Sequence, residues 1–218
     1  GFTMDAEIIK AAQGLGERTV ARRRDFHKHA EAAWTEFRTA SIVAKTLQGL
    51  GYQVLAGDEV VDPKAMMGVP PAAELDRQFQ RALEQGADAA WAEKMRGGKT
   101  GVVGVMRYAK PGPTVALRVD MDANDLNEAA EEKHRPFREG FASVNKGAMH
   151  ACGHDGHTAT GLGVAEVLAS LKDRLAGTVK LIFQPAEEGV RGAKAMVARG
   201  VVDDVNYVVG AHLGVNLK

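Results

Sequence analysis

Apolar residues along the chain follow two patterns, one with a spacing of three to four residues and one of short continuous runs. The first pattern is typical of amphipathic helices and the second of buried strands. Helices are predicted from Asp5 to about His29, from a Thr35 cap to Gly51, from Gly156 to Leu171, and from Ala193 to Arg199. Strands are predicted at 52–55, 101–107, 114–120, 178–183 and 206–210.

The stretch from Gly57 to Thr100 has a different character. Three prolines interrupt its first part, and its later apolar residues fit one or two short surface helices. We therefore interpret it as a helical excursion, at about 57–100, from an α/β core. The order of the elements predicts a three-layer α/β sandwich, in which helices cover both faces of a mixed, mainly parallel sheet.

Composition limits the classes of function. Lys plus Arg and Asp plus Glu number 28 each, so no basic field is available for nucleic acid or for an anionic membrane surface, and neither is expected as a partner. No apolar run reaches the length of a membrane span or follows the plan of a signal peptide. A single cysteine cannot form an internal disulfide, which favours a reducing, cytoplasmic location.

Chemically versatile side chains are concentrated between Met149 and Thr158, where the only cysteine lies among three of the seven histidines. Gly153 permits a tight loop in which Cys152 and His154 turn toward one point, as metal ligands do. On this segment alone, a buried structural thiol beside a helix cap is the other interpretation.

Further candidates lie at or just beyond predicted strands, where ligand sites of open α/β sheets are built. They are Asp120, Asp122, Glu187, Glu188 and His212. A thiolate, two imidazoles and a carboxylate suit Zn, Mn or Co rather than Ca or Mg. Of two paired carboxylates, one can bind the ion while the other takes a proton from water that the ion activates. His27 and His29, by contrast, are expected to be exposed residues that interact with a helix dipole.

Four sequence blocks resemble the signatures of one enzyme family, in that family's order. The blocks are 118–123 (RVDMDA), 150–157 (HACGHDGH), 183–189 (FQPAEEG) and the pair Ala211-His212. From about Phe26 to its end, the chain thus resembles the amidohydrolase branch of the aminoacylase and carboxypeptidase metallopeptidase family. Shorter blocks at 67–70, 137–143, 191–193 and 200–205 most resemble the members of that branch that act on p-aminobenzoyl-glutamate.

The resemblance implies a site with two divalent metal ions, Mn or Zn. The implied metal ligands are Cys152, His154, Glu188 and His212. Glu187 matches the general base, Asp120 matches an acidic residue that orients the site, and Asp155 and His157 are implied to support it. The implied reaction is hydrolysis of the amide bond of an N-acyl or N-aroyl amino acid, above all p-aminobenzoyl-glutamate. The candidates for binding the substrate carboxylate are Arg118, Lys146 and Arg191, among which the sequence does not choose.

The chain departs from the family pattern in two ways. Asn124 stands where the family usually has Leu. Family members also continue past the position of Lys218 into a smaller lid and dimerisation domain, and then return to the catalytic domain with another histidine ligand. We therefore expect residues 1–218 to be part of a catalytic domain, which when full length forms a homodimer or a heteromer with a related polypeptide.

Two other functions remain open. The chain could be a non-catalytic metal- or partner-binding module with a degenerate or truncated site. It could also be a cysteine hydrolase, with Cys152 as nucleophile and His154 or His157 as base. Residues two apart in a loop rarely align a thiol with an imidazole for proton transfer, and a thiol nucleophile leaves Glu187 and Glu188 without a role.

Overall fold

Five strands form one open sheet at the centre of the chain, in a computed structural model that describes residues 3–214. The strands are β1 (Gln53–Ala56), β2 (Val102–Arg107), β3 (Lys110–Asp120), β4 (Ala176–Gln184) and β5 (Tyr207–Gly210), in the spatial order β1-β2-β4-β3-β5. β2 pairs antiparallel with both β1 and β4, whereas β3 pairs parallel with both β4 and β5. The predicted mixed sheet is confirmed, but its pairings are evenly divided rather than mainly parallel.

Helices cover both faces of the sheet, as predicted. They are α1 (Met4–Gln13), α2 (Gly16–Lys28), α3 (Phe37–Gly49), α4 (Ala72–Glu84), α5 (Ala89–Glu93), α6 (Arg135–Arg138), α7 (His154–Ser170) and α8 (Gly192–Ala198). On one face Leu181 and Phe183 pack with buried residues of α3 and α7, and on the other Ile182 packs with α8 and Trp34. This alternation follows from the two-residue period of a strand. Within residues 3–214, no helix combines the length and apolar character needed to cross a membrane.

Most predicted boundaries differ from the structure by one or two residues, and two differ by more. The helix predicted from Asp5 to about His29 is divided, because α1 ends at Gln13 and is capped by Gly14, whose N–H group bonds back to the Lys10 and Ala12 carbonyls. Glycine is among the weakest helix formers, so a break there is inexpensive. β3 begins at Lys110 rather than at residue 114, with a shift of register before Thr114, where the prolines of this segment are tolerated.

The N-terminus of α3 lacks the predicted cap. The hydroxyl group of Thr35 donates to the Ala32 carbonyl at 2.7 Å, and Glu36, at the N-cap position, makes no capping hydrogen bond from its side chain. The first N–H groups of this helix therefore require acceptors from elsewhere in the chain.

A buried carboxylate supplies those acceptors. The two oxygens of Glu31 accept the backbone N–H groups of Arg38 at 2.8 Å and Thr39 at 2.6 Å, and Arg81 donates to the same carboxylate at 2.9 Å. Glu31 is 1% exposed, so both its charge and its hydrogen bonds are shielded from water. This one side chain thus fixes the start of α3 and ties it to α4.

We expect Glu31→Gln to lower the free energy of unfolding by about 3 kcal/mol, because it leaves Arg81 without its buried partner and presents an amide N–H group to backbone donors. Urea denaturation measures the change. The matched control is Glu93→Gln, which removes an exposed ion pair with Arg96 and should cost less than about 1 kcal/mol. Equal losses in the two variants would contradict a capping role for Glu31.

Candidate metal centre

The carboxyl ends of three strands and the start of one helix meet at one edge of the sheet. β3, β4 and β5 are parallel to one another, so their ends lie side by side. α7 begins at the same edge, after Gly153, whose φ of +98° turns the loop into the helix. Three groups of potential ligand atoms form there, with the atoms of each group within 4.8 Å of one another. One group is Asp120, His154 and His157, and the two that hold the predicted ligands are Cys152, His154 and His212, and His154, Glu187 and Glu188.

His212 lies two residues beyond the end of β5 and contacts Cys152. Its Nε2 atom lies 3.4 Å from the Cys152 sulfur, and its Nδ1–H group donates to the Leu213 carbonyl at 2.6 Å. That second bond assigns the proton to Nδ1 and leaves Nε2 as an electron-pair donor. The histidine is exposed and the cysteine is half-buried, so the pair opens toward solvent.

His154 lies at the junction of the two groups and is completely buried. Its Nδ1–H group donates to the Asp122 carbonyl at 2.7 Å, while its Nε2 atom has no hydrogen-bond partner in the described chain. Nε2 lies 3.6 Å from a carboxylate oxygen of Glu187 and 3.8 Å from Oε1 of Glu188. That Oε1 atom is also buried without a hydrogen-bond partner among residues 3–214.

These atoms fit a divalent metal ion. Buried polar atoms are normally paired, and two unpaired atoms facing one space need a positive or polar group between them. The surrounding donors are one sulfur, two imidazole nitrogens and carboxylate oxygens, a set suited to Zn or Mn. The predicted ligands Cys152, His154, Glu188 and His212 are therefore brought together, with Glu187 beside them.

The carboxylates dominate the electrostatics of this space. Burial disfavours the imidazolium form of His154, but its hydrogen bond to Asp122 and the charges of Asp120 and Asp122 outweigh burial and raise its pKa to about 9. Burial and the neighbouring charges of Glu188 and Glu187 raise the pKa of Cys152 to about 11. Without a metal ion, both groups therefore hold a proton at neutral pH. A bound cation would reverse both tendencies.

Asp120 and His157 support the site from one side. The Nδ1–H group of His157 donates to Asp120 at 2.6 Å, and its Nε2 atom accepts the backbone N–H group of Leu213 at 2.9 Å. His157 forms a group of possible metal ligands with Asp120 and His154. Both of its ring nitrogens, however, already make hydrogen bonds within the described chain. The hydrogen bond from Leu213 to His157 holds Leu213 in place, and Leu213 directly follows His212. Arg118 is held here too, since its Nη1 atom donates to Asp120 at 2.8 Å.

Asp122 organises the site more directly than its sequence position indicates. Its two carboxylate oxygens accept the backbone N–H groups of Glu187 and Glu188, each at 2.9 Å, and its carbonyl orients His154. Sequence reasoning noted Asp122 as a strand-end acid but gave it no role. The available signal was its place as the second acid of the Asp-x-Asp pair that begins at the last residue of β3.

A second buried carboxylate holds the start of the same loop. Glu36 accepts the N–H group of Ala186 at 2.8 Å and the hydroxyl group of Thr100 at 2.9 Å. Burial, with the nearby charge of Asp122, raises the pKa of Glu36 well above its usual range. Sequence reasoning missed Glu36 because the contact joins residues far apart in the chain.

Asp155 lies outside the ligand cluster. It contacts His27 Nδ1 at 2.8 Å and Arg23 Nε at 2.8 Å, and the other ring nitrogen of His27 lies 2.9 Å from Glu128. His27 was expected to be exposed, and that prediction is wrong because the histidine is 2% exposed between two carboxylates. Its hydrogen bonds to Asp155 and Glu128 raise its pKa despite burial. Asp155 thus anchors the start of α7 to α2.

The fold and the site define a class of protein: residues 116–217 match peptidase family M20/M25/M40, and the chain carries a domain of this family, as the sequence blocks predicted. Two relatives are close in sequence. Indole-3-acetyl-aspartic acid hydrolase of Enterobacter agglomerans is 59% identical, and a p-aminobenzoyl-glutamate hydrolase subunit of Escherichia coli (strain K12) is 56% identical, each over 192 residues. Each alignment covers 88% of this chain and 44% of the relative, so the chain spans less than half the length of these relatives.

Solved structures agree with this assignment. An aminobenzoyl-glutamate utilization protein from Klebsiella pneumoniae superimposes with a TM-score of 0.83 at 46% identity, over 97% of this chain and 47% of that one. A Bacillus subtilis protein described as a dinuclear metal binding peptidase of the M20 family superimposes with a TM-score of 0.69 at 29% identity, over 94% of this chain and 45% of that one.

We expect Asp122→Asn to weaken metal binding by about 10–100-fold, because an amide N–H group would face a backbone donor and release one of the two glutamates. Equilibrium dialysis with Mn or Zn measures the affinity. Asp125→Asn is the matched control, since Asp125 is an exposed acid three residues further on, and it should leave the affinity unchanged. Equal affinities in Asp122→Asn and the unmodified chain would contradict the organising role.

We also expect a divalent ion that binds at pH 7 to release about two protons, one each from His154 and Cys152. Their pKa values, about 9 and about 11, lie above 7, so both groups are protonated before binding and must lose the proton to become ligands. Metal affinity therefore rises with pH, and falls as pH falls. Calorimetry in buffers of different protonation enthalpy counts the protons, and Cys152→Ser should remove one. Release near zero would place the ion on the carboxylates alone.

Proposed function

We propose that this chain belongs to a metal-dependent amidohydrolase that cleaves the amide bond of an N-acyl or N-aroyl amino acid. The most specific candidate reaction converts p-aminobenzoyl-glutamate to p-aminobenzoate and glutamate. The observation that carries the proposal is the pair of unpaired buried atoms, His154 Nε2 and Glu188 Oε1, which face each other beside Glu187. The substrate class is supported by the two relatives, whose names specify amides of aspartic acid and of glutamate.

The proposed metal ligands are Cys152, His154, Glu188 and His212, for two ions of Mn or Zn. The family includes a peptidase described as dinuclear, which supports this number of ions. Such ions polarise a carbonyl group and lower the pKa of water toward neutrality. The carboxylates and the thiol meet the need for negative ligands. The Nδ1 hydrogen bonds of both histidines point their Nε2 atoms toward the ions, and His154 would lose its extra proton on binding.

Glu187 is the proposed general base. Its backbone is fixed by Asp122, and its carboxylate lies 3.6 Å from His154 Nε2 while its side chain remains 37% exposed. Glu188 is less exposed, at 29%, and has the unpaired buried oxygen. The two neighbours therefore divide into an inner carboxylate suited to hold an ion and an outer carboxylate able to take a proton from water and pass it to the leaving amine.

A thiol nucleophile is a poorer interpretation of the same site. The thiolate is the reactive form of cysteine, and burial together with the surrounding carboxylates raises the pKa of Cys152 to about 11. Reactive cysteines lie in electropositive surroundings, and this one lies among Glu187, Glu188 and Asp120. The thiol is better suited to bind a cation, which would displace its proton.

We further propose that residues 1–218 are part of a catalytic domain, and that the lid and dimerisation domain and the rest of the catalytic domain lie in the part of the relatives that this chain does not span. The full-length protein would form a homodimer or a heteromer with a related polypeptide. This view is supported by the Escherichia coli relative, which is named as one subunit of its hydrolase. A free thiol at the site suits a reducing compartment such as the cytoplasm.

We expect Glu187→Gln to reduce hydrolysis of p-aminobenzoyl-glutamate by at least about 100-fold without loss of metal, because it removes only the proton acceptor. Glu188→Gln should instead lose metal. Release of p-aminobenzoate measures the rate, and metal analysis of each purified variant measures occupancy. An unchanged rate in Glu187→Gln contradicts the base assignment. Binding of metal without any hydrolysis by the unmodified protein would favour the non-catalytic module.

A further inference from the structure

A cavity of about 370 Å³ lies beside the loop that carries Glu187 and Glu188. We call it the Arg191 cavity. It is lined by residues 30–33 and 35, by part of α4, by residues 145–148, and by Pro70, Asp125 and Arg191. Its volume is within the range of small-ligand sites, about 300–1,000 Å³. The link to the proposed catalytic residues is direct, because Arg191 contacts Glu188.

The charges that line this cavity leave it with an excess of positive charge. Of its acidic residues, Glu31 is paired with Arg81 and with two backbone N–H groups. Glu74 is paired with Arg77. Arg191 and Lys146 have no carboxylate within ion-pair distance among residues 3–214, and Asp125 is the remaining acid of the lining. Two cations therefore face the cavity against one unpaired acid.

The backbone holds the Arg191 side chain in place. Its Nε–H group donates to the Glu188 carbonyl at 2.8 Å, and Nη1 donates to the Gly68 carbonyl at 3.3 Å. Gly68 and Gly189 have positive φ angles, and a Cβ atom at Gly68 would lie 2.6 Å from Arg191 Cδ. Glycine at this position therefore permits the close approach. The Nη2 group makes no hydrogen bond to the described residues, so it is oriented and free to donate.

The other candidate cation is committed elsewhere. Arg118 donates to Asp120 at 2.8 Å and to Gln184 at 2.9 Å, within the sheet edge. It does not line the Arg191 cavity. Of the three basic residues that the sequence left equal, Arg191 and Lys146 therefore line the cavity and Arg118 does not.

We propose that the Arg191 cavity binds a carboxylate of the amino-acid half of the substrate, and that Arg191 and Lys146 select amides of acidic amino acids. This inference rests on the proposed function and adds residues that determine specificity. The free Nη2 group of the oriented guanidinium can donate a charge-assisted hydrogen bond to a carboxylate, and the flexible ammonium group of Lys146 adds a second charge. Arg191 donates to the Glu188 carbonyl, so the cavity adjoins the loop that carries Glu187, the proposed general base.

The test compares N-(4-aminobenzoyl)glutamate with N-(4-aminobenzoyl)glutamine, which differ only in the charge of the side chain. We expect kcat/KM and the calorimetric affinity to favour the glutamate compound by about 10–100-fold, the factor typical of hydrogen bonds to a charged group. Arg191→Met should remove most of this preference, Arg191→Lys should restore part of it, and Lys146→Met should reduce it. The ratio between the two compounds cancels general damage to the loop.

Lys133→Met is the control, since Lys133 is an exposed lysine outside the cavity, and it should keep the full preference. Equal binding of the two compounds by the unmodified protein, absence of binding, or an unchanged preference in Arg191→Met would overturn the inference. Failure of the proposed function gives a different result, because the protein would then hydrolyse neither compound, while the difference in affinity still reports on the cavity.

Discussion

The site depends on one buried carboxylate, that of Asp122, which accepts two successive backbone N–H groups through its two oxygens. Two adjacent peptide groups held in this way cannot rotate independently, so the backbone positions from which the Glu187 and Glu188 side chains start are fixed together. The carbonyl of the same residue fixes the His154 ring. A buried carboxylate is tolerated only when its oxygens accept hydrogen bonds. The donors to Asp122 are the backbone N–H groups of Glu187 and Glu188, the same residues that the site holds in position.

A second constraint is electrostatic. Four carboxylates lie near His154. Burial disfavours the imidazolium form, but the hydrogen bond to Asp122 and the charges of Asp120 and Asp122 outweigh burial and raise the pKa of the imidazole to about 9. A divalent ion can therefore replace the proton on that ring and balance the negative charge of the nearby carboxylates. Burial, together with the charges of Glu188, Glu187 and Asp120, raises the pKa of the Cys152 thiol to about 11, so without a bound cation the thiol is an unsuitable nucleophile. The arrangement of acids thus accounts for cation binding without any assumption about substrate.

The sequence predicted what local patterns determine. Periodicity identified the helices and strands, and the rule that ligand sites form at the carboxyl ends of strands singled out Asp120, Glu187 and His212. Long-range pairings were not predictable. The position of β2 between β1 and β4, the burial of His27 against Glu128, and the capping of α3 by Glu31 each join residues with no local signal between them. The role of Asp122 belongs to the same class, since only the fold shows which N–H groups it meets.

The loop after β4 contains two strained residues, both glutamates and Arg191 within six positions. Ala186 and Val190 at its ends adopt φ angles of +52° and +58°, a region that costs non-glycine residues on the order of 1 kcal/mol or more each. The strain persists because Glu36 holds the Ala186 N–H group while the Ala186 carbonyl accepts the N–H group of Gly192 at 2.8 Å. Between those bends stand the two glutamates, and Arg191 follows directly. The proposed metal ligand, the proposed base and the proposed substrate-binding cation are therefore carried by one bent segment, so we expect a change that relaxes the bend to alter metal binding and substrate selection together.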